Sequence, residues 1–281
     1  MTSVNSENGM VANSDSLASA QAVMLEILQE FHRVCTKNNL TYWLEGGTLL
    51  GAIRHRGFIP WDDDVDVAMP VRDYQRLCSI AKSEFGTSFF LQTSSTDPNY
   101  PKTIPKIRKH GTLLLEYSET GKEDYHHGIF IDVFPFVSYK YEWFVNLMRW
   151  SMLLRERKHK YIKGTWKRTL VTIYTQYLMM PLLLPVKLLR FFYQKTHDAA
   201  LDRDDYPYFS HKLGCTWVCN TKRNDILPVK LGKGIFEGKD FYIPNNPDGY
   251  LKACYGKDYM VLPPVDERKT HAKYFSVKSS L

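Results

Sequence analysis

The sequence predicts an α+β protein, and three observations predict it. Runs with helical spacing alternate with short β-favouring runs along most of the chain. A glycine turn, Gly46-Gly47, joins a short apolar strand to a short helix. A strand-like stretch carrying Asp62, Asp63, Asp64 and Asp66 follows that helix, with Val65, Val67, Ala68 and Met69 beside the acids. Helices and short strands therefore both contribute to the fold.

Taken in order, residues 1–16 are rich in Ser and Asn without apolar periodicity and predict a disordered tail. Val23, Ile27, Phe31 and Val34 then recur at helical spacing, which predicts a helix over Leu17–Asn38. Leu40–Leu44 reads as a strand, Leu49–Arg54 as a helix with Thr48 placed to cap it, and Arg72–Phe85 as a further helix. Strands are expected at Phe89–Thr93, Thr103–Arg108, Leu113–Tyr117 and Gly128–Pro135.

The character changes over 141–193. Trp143, Phe144, Leu147, Trp150, Leu153 and Leu154 form a helical apolar face, a basic stretch follows, and Thr169–Val186 carries no charge. That run nears the length of a bilayer span, but Thr172, Thr175, Gln176, Pro181 and Pro185 favour an interfacial helix over a spanning one. An internal helical insertion is the alternative. Beyond it, Lys233–Pro244 reads as two strands around Glu237-Gly238-Lys239, and Asp248–Tyr255 as a helix ended by Gly256.

Composition narrows the partners. The 281 residues suffice for one large domain with a sizeable core, and 44% are hydrophobic. A net charge of +7 and a pI near 9.0 favour anionic partners. No nucleic-acid motif accompanies the charge, so nucleic acid is not expected. The five cysteines, Cys35, Cys78, Cys215, Cys219 and Cys254, suit neither a disulfide framework nor a zinc site, and a reducing compartment fits. The N-terminus shows no basic region followed by an apolar run, so no signal peptide is expected.

The chemistry concentrates in one stretch. Gly46-Gly47-Thr48 opens a helix whose free N–H groups suit a phosphate. In extended chain Asp64 and Asp66 point the same way, as do Asp62 and Asp64. Paired carboxylates repel unless a cation neutralises them, and hard oxygen ligands favour Mg2+ or Mn2+. Asp132 sits inside the apolar run Gly128–Pro135, where a carboxylate needs a partner, and a metal shared with Asp64 and Asp66 is the natural candidate. Lys106 and Arg108 share one face of a strand and suit phosphate, the alternative being a solvated face. His126 and His127 precede the apolar run Gly128–Pro135 on a polar loop, where a substrate contact is open to either and a plain surface-loop place is the commoner case. A phosphate cradle followed by a metal pair implies chemistry on a nucleoside diphosphate or triphosphate.

These motifs together resemble the LicD family of phosphotransferases, related to fukutin and fukutin-related protein. The matching segments are Glu45–Ala52, Arg54–Gly57, Ile59–Asp66, Lys106–Arg108, Gly128–Pro135 and Tyr255–His271. The resemblance spans roughly residues 20–271. It implies a nucleotidyltransferase core of the polymerase-β type over 17–140, with a small mixed sheet. The insertion at 141–193 follows, and 194–281 would complete the substrate site.

The resemblance further implies metal-dependent transfer of phosphocholine, or a similar phospho-alcohol, from a CDP-linked donor such as CDP-choline. The acceptor would be a hydroxyl of a cell-surface glycan, as in lipopolysaccharide or teichoic acid, or of its lipid-linked precursor; CMP would leave. Asp64, Asp66 and Asp132 match the catalytic and metal positions. Gly46, Gly47, Thr48, Lys106 and Arg108 would hold donor phosphate, and Arg54, His55, Asp62, Arg268 and His271 are candidate substrate contacts. The expected place is cytoplasmic, at the inner face of the membrane, through peripheral association. No cysteine set matches the four-cysteine zinc site of fukutin-related protein. The competing classes are a nucleotide-sugar glycosyltransferase, which also uses Asp-x-Asp, and an inactive membrane-associated binding protein.

Overall fold

A computed structural model describes residues 16–141, 205–211, 221–268 and 270–278. The predicted tail (apart from Ser16), the insertion (apart from Tyr141), Cys215 and Cys219 lie outside these residues. So does the membrane contact expected of the insertion.

Helix α1 (Leu17–Lys37) begins at Ser16, whose hydroxyl accepts from the Ser19 N–H at 3.2 Å. It buries Met24, Ile27, Leu28, Phe31 and Val34, the stripe expected from their spacing. Strand β1 (Trp43–Leu44) leads into α2 (Gly46–Arg54). Strand β2 (Asp66–Pro70) and α3 (Val71–Glu84) follow, then β3 (Phe89–Gln92), β4 (Lys106–Lys109), β5 (Leu113–Glu116) and β6 (Phe130–Tyr139). The C-terminal part supplies β7 (Tyr208–His211), β8 (Thr221–Lys222), α4 (Arg223–Ile226), β9 (Lys230–Phe236) and β10 (Lys239–Ile243). It ends with α5 (Pro247–Tyr255), a 3-10 turn (Val265–Glu267) and β11 (Ala272–Ser276).

Among the described residues, seven strands form a mixed sheet. Its order runs β1-β2-β6-β4-β3, with β7 also paired to β6 and β8 to β7. Only β2 and β6 run parallel, in the register Asp66 opposite Asp132. Strand β4 pairs antiparallel to β6 and sets Lys106 opposite the same Asp132. The hairpin β9–β10 and the pair β5–β11 are separate ribbons. Val67, Ala68, Met69, Ile107, Ile131 and Val133 are almost fully buried, so both faces of the central strands are covered. The architecture is the expected α+β arrangement with a mixed sheet.

Two local expectations change. Helix α2 starts at Gly46, so Thr48 lies inside its first turn and does not cap it. Instead the buried Thr48 hydroxyl accepts the N–H of Asp66 at 2.8 Å, tying the helix to the head of β2. His127 is no surface residue either: its side chain is 8% exposed, between Glu119 and Glu123 and against the Tyr125 ring.

The Thr48 bond gives a test of this junction. Thr48→Val keeps the shape but leaves the Asp66 N–H without its acceptor, at a cost of about 1–3 kcal/mol. Urea denaturation should show that loss for Thr48→Val and little loss for Thr48→Ser. Equal stability of Thr48→Val and the parent would contradict the bond.

Candidate active site

The Gly-Gly turn and the acidic segment fold against each other. Gly46 has φ +50°, a left-handed conformation that favours glycine, and a Cβ there would lie 3.3 Å from Asp66 Oδ2. A Cβ on Gly47 would lie 3.0 Å from Asp62 Oδ2. The first turn of α2 therefore stands directly beside two of the acids, with no side chain between.

The carboxylates crowd one another. Asp66 heads β2 beside Asp132, and Asp64 precedes it in the extended approach to the strand. Burial, first, and then the neighbouring Asp64 push the Asp62 carboxyl up to about 8. Burial and then the Asp132 charge raise Asp64 to about 6. Asp66 is raised well above the usual carboxylate range by burial, then by Asp64, Asp132, Asp62 and Glu45. The cluster is short of positive charge, which is the condition that a divalent cation relieves. All of its candidate ligands are hard oxygens, so Mg2+ or Mn2+ fits this donor set.

Asp132 differs from its neighbours. Lys106 Nζ donates to its Oδ1 at 2.7 Å, and Lys106 is itself buried. The partner that a carboxylate in an apolar strand requires is thus this lysine. The case for a metal rests on the crowding of Asp62, Asp64 and Asp66, of which Asp64 and Asp66 also feel the Asp132 charge. Burial pulls the Lys106 ammonium below its ordinary range, against the pull of Asp132.

Arg108 is also buried, not on a solvated face. Its Nε donates to Gln92 Oε1 at 2.5 Å and its Nη1 to the Gly128 carbonyl at 2.6 Å, while Nη2 is buried without a hydrogen-bond partner. Lys106 and Arg108 therefore line the sheet behind the acids.

The remaining sequence candidates gather at the rim. Arg54 Nη1 donates to the carbonyls of Tyr259 and Val261, at 3.0 and 3.3 Å, and Nε donates to His55 Nε2 at 2.9 Å. The His55 ring meets Trp61 edge-on, and the Arg268 guanidinium lies 4.4 Å over the Trp61 ring. His271 reaches the acids themselves, with Nδ1 3.5 Å from Asp63 Oδ1 and 3.8 Å from Asp64 Oδ2. The adjacent Asp63 carboxylate, and then Asp64 and Asp62, raise His271 to about 9 against a burial penalty. Among the described residues, the ligand atoms of Asp63, Asp64 and His271 close to within 4.8 Å of one another.

One buried group escaped the sequence reading. Glu45 immediately precedes the glycines and is 2% exposed. It accepts from Trp43 Nε1 at 2.9 Å and from the Tyr250 hydroxyl, and His211 Nε2 lies 3.0 Å from its Oε1. Strands β1 and β7 and helix α5 thus meet at one carboxylate that fixes the entry to α2. An acid following Trp43-Leu44 carried the same signal as Asp132, a carboxylate in an apolar run.

The arrangement brings a helix N-terminus, a cluster of carboxylates, and basic and aromatic side chains together in one place. The family model described as LicD/FKTN/FKRP, nucleotidyltransferase domain, matches residues 39–182, and the chain belongs to this family. It is 28% identical over 268 residues to the lipopolysaccharide cholinephosphotransferase LicD of Haemophilus influenzae, covering 91% of this chain and 96% of that one. It is also 48% identical over 46 residues to the human ribitol 5-phosphate transferase FKRP, covering 16% of this chain and 9% of that one. An uncharacterized protein of Rickettsia prowazekii is 48% identical over 50 residues, 18% of this chain and 19% of its own.

The raised acids set a pH dependence. A carboxyl whose pKa is higher folded than unfolded binds protons more tightly in the fold, so stability falls as pH rises toward the folded value. His271, raised to about 9, acts in the same direction above pH 6.5. From pH 6.5 to 8.5, Asp62 and His271 both lower stability as protons leave. The melting temperature of the metal-free protein should therefore fall across that range, and saturating Mg2+ or Mn2+ should restore more at pH 8.5 than at 6.5. A melting temperature flat in pH and indifferent to the metal would contradict the clustering.

Proposed function

We propose that this protein transfers a phospho-alcohol group, phosphocholine or a close analogue, from a CDP-linked donor to a hydroxyl of a glycan or its lipid-linked precursor. The observation that supports it most directly is the packing of the Gly46-Gly47 turn against Asp62 and Asp66. That contact joins a phosphate-binding helix start to a cation-binding acid cluster. Membership of the LicD family and the relative named as a lipopolysaccharide cholinephosphotransferase support the phosphoryl chemistry and the glycan acceptor.

In this reading the backbone N–H groups of Gly46, Gly47 and Thr48 bind donor phosphate oxygens. Asp64 and Asp66, with Asp62 and Asp132 beside them, would hold Mg2+ or Mn2+. That cation, when bound, neutralises charge on the diphosphate and its transition state. Lys106 fixes the orientation of Asp132 through Oδ1, and Asp132 takes the proton of the acceptor hydroxyl. The acceptor oxygen forms a bond to the phosphorus distal to cytidine. The bond from that phosphorus to the bridging oxygen breaks, and CMP leaves with the electron pair. Arg54 braces the Tyr259–Val261 segment, and the Trp61 and Arg268 pair borders the acceptor side. Peripheral membrane association at the cytoplasmic face would bring a lipid-linked acceptor to the site. Among the described residues no helix is long and apolar enough to cross a membrane.

The assay is CMP release from CDP-choline, CDP-ribitol and UDP-sugars, with and without a membrane glycan fraction. A CDP-alcohol should be consumed, and chelation with EDTA should stop the reaction. Asp64→Asn and Asp66→Asn should each lower turnover on the order of 10²-fold or more, as loss of a strong electrostatic contact does. Consumption of UDP-sugars alone, or full turnover in EDTA, would overturn the reading.

A further inference from the structure

Asp63 stands apart from the other three aspartates. Its side chain is 1% exposed, against 27% for that of Asp64. Its Oδ2 accepts the backbone N–H groups of His271, at 2.6 Å, and of Ala272. These donors are 208 and 209 residues away in sequence and begin β11. Its Oδ1 is buried, has no hydrogen-bond partner, and lies 3.5 Å from the His271 ring. One carboxylate therefore clamps the head of β11 to the acidic loop. The strand itself pairs with β5 along its length, from Ala272 opposite Glu116 to Ser276 opposite Leu113.

Two roles compete for this residue. Asp63, Asp64 and His271 lie close enough to act as metal ligands. Yet Asp63 Oδ2 already carries two N–H donors, and its Oδ1 is buried, whereas the Asp64 side chain reaches the opening. The same two bonds explain why a charged group is tolerated there, because a carboxylate accepting backbone N–H bonds is well compensated when buried.

We propose that Asp63 is a positioning residue and not a metal ligand. By docking His271 and Ala272 onto the acidic loop, it holds the His271 ring over Asp64, where the ring N–H donates to a phosphate oxygen of the donor. The His271 side chain is 75% exposed, so the ring is open to such a ligand, and it can donate in either charge state. The inference rests on the phosphoryl-donor reading of this site, and it adds the segment that completes the site from the far end of the chain.

The test uses the full chain and two calorimetric titrations, Mn2+ alone and inorganic pyrophosphate with and without Mn2+; neither requires turnover. His271→Ala and Asp63→Ala should each weaken pyrophosphate binding about tenfold or more, the scale of a hydrogen bond to a charged group. The double variant should be no weaker than His271→Ala alone, because Asp63 acts through His271. Asp63→Asn keeps an oxygen for the two N–H groups and should recover most of the affinity. Mn2+ binding should stay near normal in His271→Ala, and in Asp63→Asn it should fall by clearly less than in Asp64→Asn, because Asp63 adds charge beside the ligands without touching the ion.

A loss of Mn2+ affinity in Asp63→Asn as large as that in Asp64→Asn would make Asp63 a ligand and overturn the proposal. So would losses that multiply in the double variant, or pyrophosphate binding that His271→Ala leaves unchanged. If Asp63→Ala fails to fold, Asp63→Asn and the exposed His271→Ala still decide it. Failure of the phospho-alcohol reading would show differently, as no CMP release by the unaltered protein despite intact Mn2+ and pyrophosphate binding.

Discussion

The parallel pairing of β2 with β6 sets Asp66 beside Asp132, and the antiparallel pairing of β4 on the far side of β6 sets Lys106 beside the same Asp132. A one-residue slip of either strand would turn its charged side chain to the opposite face, among Val67, Ile107, Ile131 and Val133. The apolar pattern of these strands thus fixes the register, and the register fixes the spacing of the charges. Asp62, Asp64 and the Gly46-Gly47 turn then build outward from that point, with the Thr48 hydroxyl holding helix to strand.

The result is a site whose ground state is electrostatically uneven. Asp132 has its lysine, whereas Asp62, Asp64 and Asp66 face one another in a buried setting that raises all three. Such crowding costs stability and persists only when the surroundings hold it in place. Here Glu45 with Trp43, Tyr250 and His211 holds one side, and Asp63 with the head of β11 holds the other. Both anchors draw on residues far along the chain, so the C-terminal part is a structural half of the site.

Local sequence carried much of this. The stripe of α1, the β-runs around Leu91, Ile107, Leu114 and Ile131, the Gly-Gly turn and the aspartates were all legible, because each depends on spacing within a few residues. The need for a partner at Asp132 was legible too, although its identity was not. Lys106 becomes that partner only through a cross-strand register, which no local pattern encodes. The same limit hid the bond from Thr48 to Asp66, the burial of Arg108 behind Gln92, and the buried position of His127. It also hid the role of Asp63, whose neighbours in sequence are ligand candidates and whose contacts lie at the other end of the chain. The membrane contact expected of residues 143–192 falls outside the described residues.

The account stands or falls on where a divalent cation binds. Crystals of the full chain soaked in Mn2+, measured at a wavelength where manganese scatters anomalously, would locate it directly. The account predicts anomalous density in bonding contact with Asp64 and Asp66, with the two backbone N–H bonds to Asp63 intact. Density held by Asp63 and His271 in place of Asp66, or no density among the acids at saturating Mn2+, would contradict it.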